Sequence, residues 1–242
     1  MKKLILSILF ILCLSSQASA LGPMMLLSGS SGACEFASED FTTYAITDAG
    51  DDIDAPTTTQ ITWTALPNDV QSMATKDRTA AYFAGDFTSR FTIQWTTPTS
   101  NHAIVFFWAV ANKATGLKVI DTGTAEDDDF IGLRMYMPLQ VEQFDLIECV
   151  DGAVSTKDSY IGGTVDTDYY VTITRVTNTI TAYICTTAYC VDGGNLQDSI
   201  TFEQSEANDY RYTYALDSWN NGQSSNNTTG YIKNMEDKLC ID

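Results

Sequence analysis

Successive side chains on an extended strand point to opposite faces, so a two-residue hydrophobic period constrains a chain more tightly than any other local pattern. That period recurs here. Phe87, Ser89, Phe91, Ile93 and Trp95 alternate with Thr88, Arg90, Thr92 and Gln94. Ile61, Trp63 and Ala65 alternate with Gln60, Thr62 and Thr64. Tyr169, Val171 and Ile173 alternate with Thr172 and Thr174, and after a turn at Thr177-Asn178-Thr179 the pattern resumes with Ile180, Ala182 and Ile184. Tyr210, Tyr212, Tyr214 and Leu216 are expected on one face, away from Arg211, Thr213 and Asp217. Ala103 to Val110 is almost continuously apolar, which suits a strand buried on both faces. No helical period runs longer than about ten residues after the first twenty, so helix content should be low.

Turn chemistry separates these runs, at Gly50-Asp51-Asp52, at Thr97 to Asn101, at Gly162-Gly163, at Gly193-Gly194-Asn195 and at Asn220-Asn221-Gly222. Roughly ten to thirteen short strands without a linker or a composition break imply one all-β domain, an antiparallel two-sheet sandwich. The N-terminus reads differently. Met1-Lys2-Lys3 precedes an apolar stretch from Leu4 to Leu14, then a polar Ser15-Ser16-Gln17 and a small-x-small Ala18-Ser19-Ala20. This is the layout of a bacterial-type Sec signal peptide, residues 1–20, with cleavage after Ala20, and the apolar run is short for a membrane span. Residues 21–35 then form a flexible leader and 36–242 the sandwich domain. The expected location is secreted or cell-surface, without membrane insertion after cleavage.

Asp and Glu number 31 against 13 Lys and Arg, a formal net charge of −18. Such a chain repels polyanions, which excludes nucleic acid and anionic membrane surfaces as partners. It is no disordered acidic tail, since 44% of residues are hydrophobic and 11% aromatic. With Cys13 lost in the signal peptide, five cysteines remain, an odd number for an oxidising compartment. Cys185 and Cys190 are close enough to staple a loop, and Cys34 and Cys240 lie near the two ends, where termini often meet. Cys149 is left over, unbridged or available to a partner.

The order Asp86-Phe87-Thr88-x-x-Phe91-x-Ile93, the strand Ile104 to Val110, then Ile131-Gly132-Leu133-x-Met135-Tyr136 resembles the LamG-like branch of the concanavalin A-like lectin/glucanase superfamily. So do the hairpin of Tyr169 to Arg175 with Thr179 to Ile184 and the tail Gly230-Tyr231-Ile232-Lys233-Asn234-Met235. The likeness runs from Phe41 to Leu239. It implies a jelly roll of two curved antiparallel sheets, with carbohydrate bound on the concave face or rim loops, sometimes with calcium. Fold alone does not fix function.

Candidate chemistry is sparse. Glucanases of that superfamily align carboxylates as Glu-x-Asp-x-Glu on one strand, and a retaining pair must sit about 5 Å apart. This chain offers Glu142, Asp145 and Glu148, but a spacing of three sends Glu142 and Asp145 to opposite faces unless a bulge intervenes. His102 falls in a turn region with no nucleophile motif around it. Asp127 and Asp129, in the run Glu126 to Asp129, offer hard oxygen ligands for calcium, the candidate cofactor, although Ile131 stands where a further oxygen would be needed. The same run also reads as a solvated charge cluster that aids solubility. For sugars, Asp217, Trp219, Asn220 and Asn221 combine a ring for stacking with hydrogen-bonding groups, on a segment that follows an alternating strand. Trp219 could equally cap the core.

Three functional classes follow. The first is a non-catalytic carbohydrate-binding or adhesion module, with a glycan as partner. The second is a structural or self-assembling surface protein, a homo-oligomer without a glycan ligand. The third, resting on Glu142 to Glu148, is a glycoside hydrolase.

Overall fold

The computed structural model describes residues 35–67, 71–96, 104–117, 129–136, 142–206, 209–218 and 227–240, with only the backbone of 227 and 240. Among them there is one short 3-10 turn, Phe41–Thr43, and no α-helix. The strands are β1 (Ala37–Ser38), β2 (Ala45–Asp48), β3 (Gln60–Pro67), β4 (Ser72–Asp77), β5 (Asp86–Trp95), β6 (Ile104–Ala111) and β7 (Phe130–Tyr136). They continue with β8 (Gln143–Val150), β9 (Ala153–Ile161), β10 (Tyr169–Val176), β11 (Thr179–Cys185), β12 (Leu196–Glu203), β13 (Tyr212–Ser218) and β14 (Asn227–Cys240). Two seven-stranded antiparallel sheets result. The A sheet runs β1-β14-β5-β10-β11-β12, with β3 also paired to β14, and the B sheet runs β2-β4-β13-β6-β7-β8-β9.

The alternating residues meet between the sheets. Phe87, Phe91, Ile93 and Trp95 from β5, with Val171 and Ile173 from β10, pack in one cluster with Val105, Phe107, Trp108 and Val110 of β6 and Leu133 and Met135 of β7. Trp95 stacks on Tyr169 at 5.3 Å between ring centroids and meets Phe144 edge-on, so the aromatics of both sheets interlock. Every residue of β6 is buried, as its apolar run requires. A second cluster, drawn from the B sheet and from Leu117, covers that sheet's other face. The hairpin between β10 and β11 pairs Val176 with Thr179 across a two-residue turn. Thr177 is left-handed there (φ 57°), held by its N–H donating to Asp86 Oδ1 at 2.6 Å.

Two alternations break at bulges. Ala65 is exposed in a left-handed conformation (φ 54°), and Leu66 enters the core in its place. In β13 the register shifts between Tyr214 and Leu216. The extra residue turns Leu216 into the inter-sheet core and brings Asp217 to the face of Tyr212 and Tyr214, while Tyr210, ahead of the strand, also enters the core. The expected single stripe is therefore two, with Asp217 on the tyrosine side. Cys185 and Cys190 form a disulfide. Cys149 forms none and is fully buried, so it is not available to a partner. Cys34 and the side chain of Cys240 lie outside the described residues, as do residues 1–20, expected as a signal peptide, and most of the expected leader. Among the described residues no helix is long and apolar enough to cross a membrane.

Candidate functional site

The bulge in β13 determines where Asp217 goes. Its register neighbours are Met73 on β4 and Phe106 on β6, both apolar and both in the outer cluster of the B sheet. Phe106 lies flat enough to reach Phe130, edge-on at 5.8 Å, because Gly132 beside it has no side chain: a Cβ there would sit 2.8 Å from the Phe106 ring.

The chain after β6 closes over this face. Tyr214 Oη donates to Lys113 O at 2.7 Å and accepts from Gly116 N–H at 3.2 Å, and Leu117 is fully buried. Leu117 N–H and Gln71 Nε2 each donate to Asp217 Oδ2 at 3.1 Å. Gly116 is the residue that lets the loop approach, being left-handed (φ 90°) and so close to Gln71 that a Cβ would meet its amide at 1.4 Å. Asp217 is 0% exposed, and its Oδ1 has no hydrogen-bond partner among the described residues. Burial pushes its carboxyl up to about 7, against the opposing pull of the Leu117 and Gln71 donors. A buried carboxyl with one satisfied and one unsatisfied oxygen is a polar anchor set in an apolar floor. It can accept a hydroxyl or hold a proton near neutral pH.

The catalytic candidates do not converge. Between β7 and β8 the register is unbroken, so β8 alternates strictly. Phe144, Leu146 and Glu148 share its core side, whereas Asp145 shares the outer side with Ile147 and Cys149. Asp145 Oδ2 accepts from Arg134 Nε and Nη2 at 3.1 and 2.9 Å, and Oδ1 accepts from Gln143 at 2.6 Å and Ser159 at 2.7 Å. Glu148 accepts from Ser205 N–H at 2.7 Å and Ser205 Oγ at 2.6 Å, and pairs with Lys157 at 2.9 Å. It ties the β9 edge to the segment after β12. Glu142 precedes the strand, its carbonyl accepting from Gly162 and Gly163 N–H. Both buried carboxylates are thus saturated and face opposite ways.

Asp129 is a bracket. Its Oδ1 accepts from Asp151 N–H at 2.8 Å, its Oδ2 from Asn112 Nδ2 at 3.4 Å, joining the end of β6 to the turn after β8. Among the described residues no three His, Cys, Asp or Glu side chains gather as metal ligands. Asp127, Trp219, Asn220, Asn221 and His102 lie outside the described residues. Of the predicted sugar contacts, Asp217 alone is described. Gln71 and Gly116, which surround it from segments remote in sequence, went unpredicted, and Tyr214 was expected on the opposite face from Asp217.

No protein-family model matches the sequence, and no curated protein matches it. Solved structures do. A legume lectin-like domain from Entamoeba histolytica superposes with a TM-score of 0.54 at 11% identity, over 83% of this chain and 95% of that one. The exoplasmic/lumenal domain of VIP36, in its Ca2+/Man3GlcNAc-bound form, gives 0.55 at 10% identity, over 84% and 86%. The carbohydrate recognition domain of Emp47p gives 0.56 at 11%, over 86% and 99%. With the strand order and the double-sheet core, these likenesses identify the fold of the chain as the concanavalin A-like jelly-roll β-sandwich.

Proposed function

We propose that this chain is an exported, non-catalytic carbohydrate-binding or adhesion module whose polar anchor is Asp217. The observation that carries this reading is the buried Asp217 carboxyl with its unpartnered Oδ1, on an apolar face beside Tyr214 and immediately before the segment holding Trp219, Asn220 and Asn221. In the proposed mode Asp217 accepts sugar hydroxyls, Asn220 and Asn221 add hydrogen bonds and Trp219 stacks on a pyranose face. Three of the similar folds support it by what they are: a legume lectin-like domain, a carbohydrate recognition domain and a domain solved with a mannose-containing glycan. The Cys185–Cys190 disulfide supports an oxidising, extracytoplasmic setting.

The opposed, saturated Asp145 and Glu148 favour binding over hydrolysis, since neither can share a sugar with the other. The proposed mode does not require calcium, for which Asp127 and Asp129 are the candidate ligands. The test is a glycan array run with and without calcium on wild type, Asp217→Asn and Trp219→Ala. Binding of neutral glycans by wild type that both substitutions abolish is the expected result. A wild type that binds nothing refutes the reading.

A further inference from the structure

The outer face of the A sheet carries an unbalanced positive site. Thr88, Arg90, Thr92 and Gln94 of β5 point outward, since the residues between them are in the core. Across the strands, Arg90 is paired with Thr172 on β10 and with Glu236 on β14. Its guanidinium lies 4.1 Å from the Phe36 ring centroid and 5.7 Å from that of Tyr189, so two aromatic rings flank it. Lys238 Nζ lies 5.8 Å from the same Phe36 ring. Neither cation has a carboxylate within 4.0 Å among the described residues. Lys76, Arg78, Arg134, Lys157, Arg211 and Lys233 all do. In a chain of net charge −18, two neighbouring cations without such partners are a departure that needs an account.

Two buried polar atoms belong to this cross-strand pair. Arg90 Nε and Thr172 Oγ1 are both buried without a hydrogen-bond partner, and Thr172 is 1% exposed. Tyr189 roofs one side. It donates to Asn234 O at 3.2 Å, and with its single proton so used it accepts from Thr92 Oγ1 at 3.2 Å. The Cys185–Cys190 disulfide closes the loop that carries it, and Tyr170 braces it edge-on at 5.5 Å.

We propose that Arg90, Lys238 and Thr172 form a second ligand site, on the opposite sheet from Asp217, for an acidic sugar: a pyranose bearing a carboxylate or a sulfate. A guanidinium flanked by aromatic rings keeps its edge donors for a planar or tetrahedral oxyanion, Lys238 adds the second charge, and the Thr172 hydroxyl supplies a further donor. The partly exposed rings of Tyr170 and Tyr189 offer sugar-facing aromatic surface. Glu236, the register partner of Arg90, whose Oε1 accepts from Ser38 Oγ at 3.2 Å, opposes the ligand, whereas Asp168 on the same face is paired with Lys233 at 2.9 Å. The inference rests on the reading of the chain as a carbohydrate-binding module but uses different residues.

The experiment is calorimetric titration of the full protein with tri-galacturonic acid, a sulfated galacto-oligosaccharide and neutral galactotriose. Binding of either acidic sugar but not of galactotriose is expected, and whichever binds identifies the anion. Arg90→Gln should weaken it by about tenfold or more, the scale of a lost charged hydrogen bond, and Arg90→Lys should recover only part of it. Glu236→Gln should tighten it, a gain of function that no folding defect produces. Asp217→Asn should leave it unchanged, so a negative glycan array and a negative result here fail separately. Equal binding of galactotriose, no binding of either acid, or indifference to both Arg90→Gln and Glu236→Gln overturns the proposal.

Discussion

Replacing Asp217 with Asn should make the protein more resistant to unfolding as pH rises, an unusual outcome for a substitution in a buried site. In the unfolded chain this carboxyl ionises near its ordinary 3.8, whereas in the fold burial holds it protonated up to about 7. Between those values the native state binds the extra proton, so stability falls as pH rises through the window and levels off above it. Linkage over about three pH units gives a penalty of about 2 kcal/mol at pH 5 and about 4 kcal/mol at pH 8. Asn keeps an oxygen for the Leu117 and Gln71 donors but puts an NH2 where Oδ1 has no partner, a cost of about 1 to 3 kcal/mol that does not change with pH. The difference in unfolding free energy between Asp217→Asn and wild type should therefore move in favour of the variant by about 2 to 3 kcal/mol between pH 5 and pH 8. Urea unfolding of both proteins at several pH values measures it directly, because every other titrating group, including the buried Asp237 whose carboxyl burial raises to about 6, cancels in the comparison. A gap that stays constant across that range would show that Asp217 is solvated and ionised in the native state, and the site description would fail.

Gly116→Ala should lower stability by about 1 to 3 kcal/mol in thermal melts, because the left-handed backbone and the Gln71 amide both resist a Cβ. Arg134→Met should cost about 3 kcal/mol or more by leaving the buried Asp145 without its cation, whereas Arg211→Ala, which breaks only an exposed pair with Asp77, should leave the melting midpoint unchanged. Peptide mapping without reduction should recover the Cys185–Cys190 link, and we propose that it will also recover Cys34 joined to Cys240. The basis of that proposal is the antiparallel pairing of Ala37 with Asp237 and Ser38 with Glu236, near the two ends of the chain. Unlinked Cys34 and Cys240 peptides would refute that pairing.

The sheets were legible because their residues obey a local rule. The alternation in β5 and the continuous apolar run of β6 report burial directly, and Thr177-Asn178 marks its own turn. The bulges were not legible. Ala65 and Ala215 are ordinary residues whose extra place in the strand is set by the pairing of distant neighbours, so the face of Leu66, of Leu216 and of Asp217 followed from tertiary register rather than from sequence. Asp217 was nominated for its composition, in company with Trp219. What makes it distinctive, the closure of Gly116 and Leu117 over it and the amide of Gln71, comes from segments remote in the chain. The spacing argument was made for Glu142 and Asp145, but Glu142 precedes the strand; it is Asp145 and Glu148, also three apart, that an unbroken β8 sends to opposite faces.

Glycan-array binding by wild type and Asp217→Asn, side by side with Glu148→Gln, tests the central claim most directly. A carbohydrate-binding module anchored at Asp217 predicts a discrete set of bound neutral glycans, lost in Asp217→Asn, retained in Glu148→Gln, with no sugar released by any of the three. A wild type that binds no neutral glycan, neutral-glycan binding that survives Asp217→Asn, or reducing-sugar release that Glu148→Gln abolishes would contradict it.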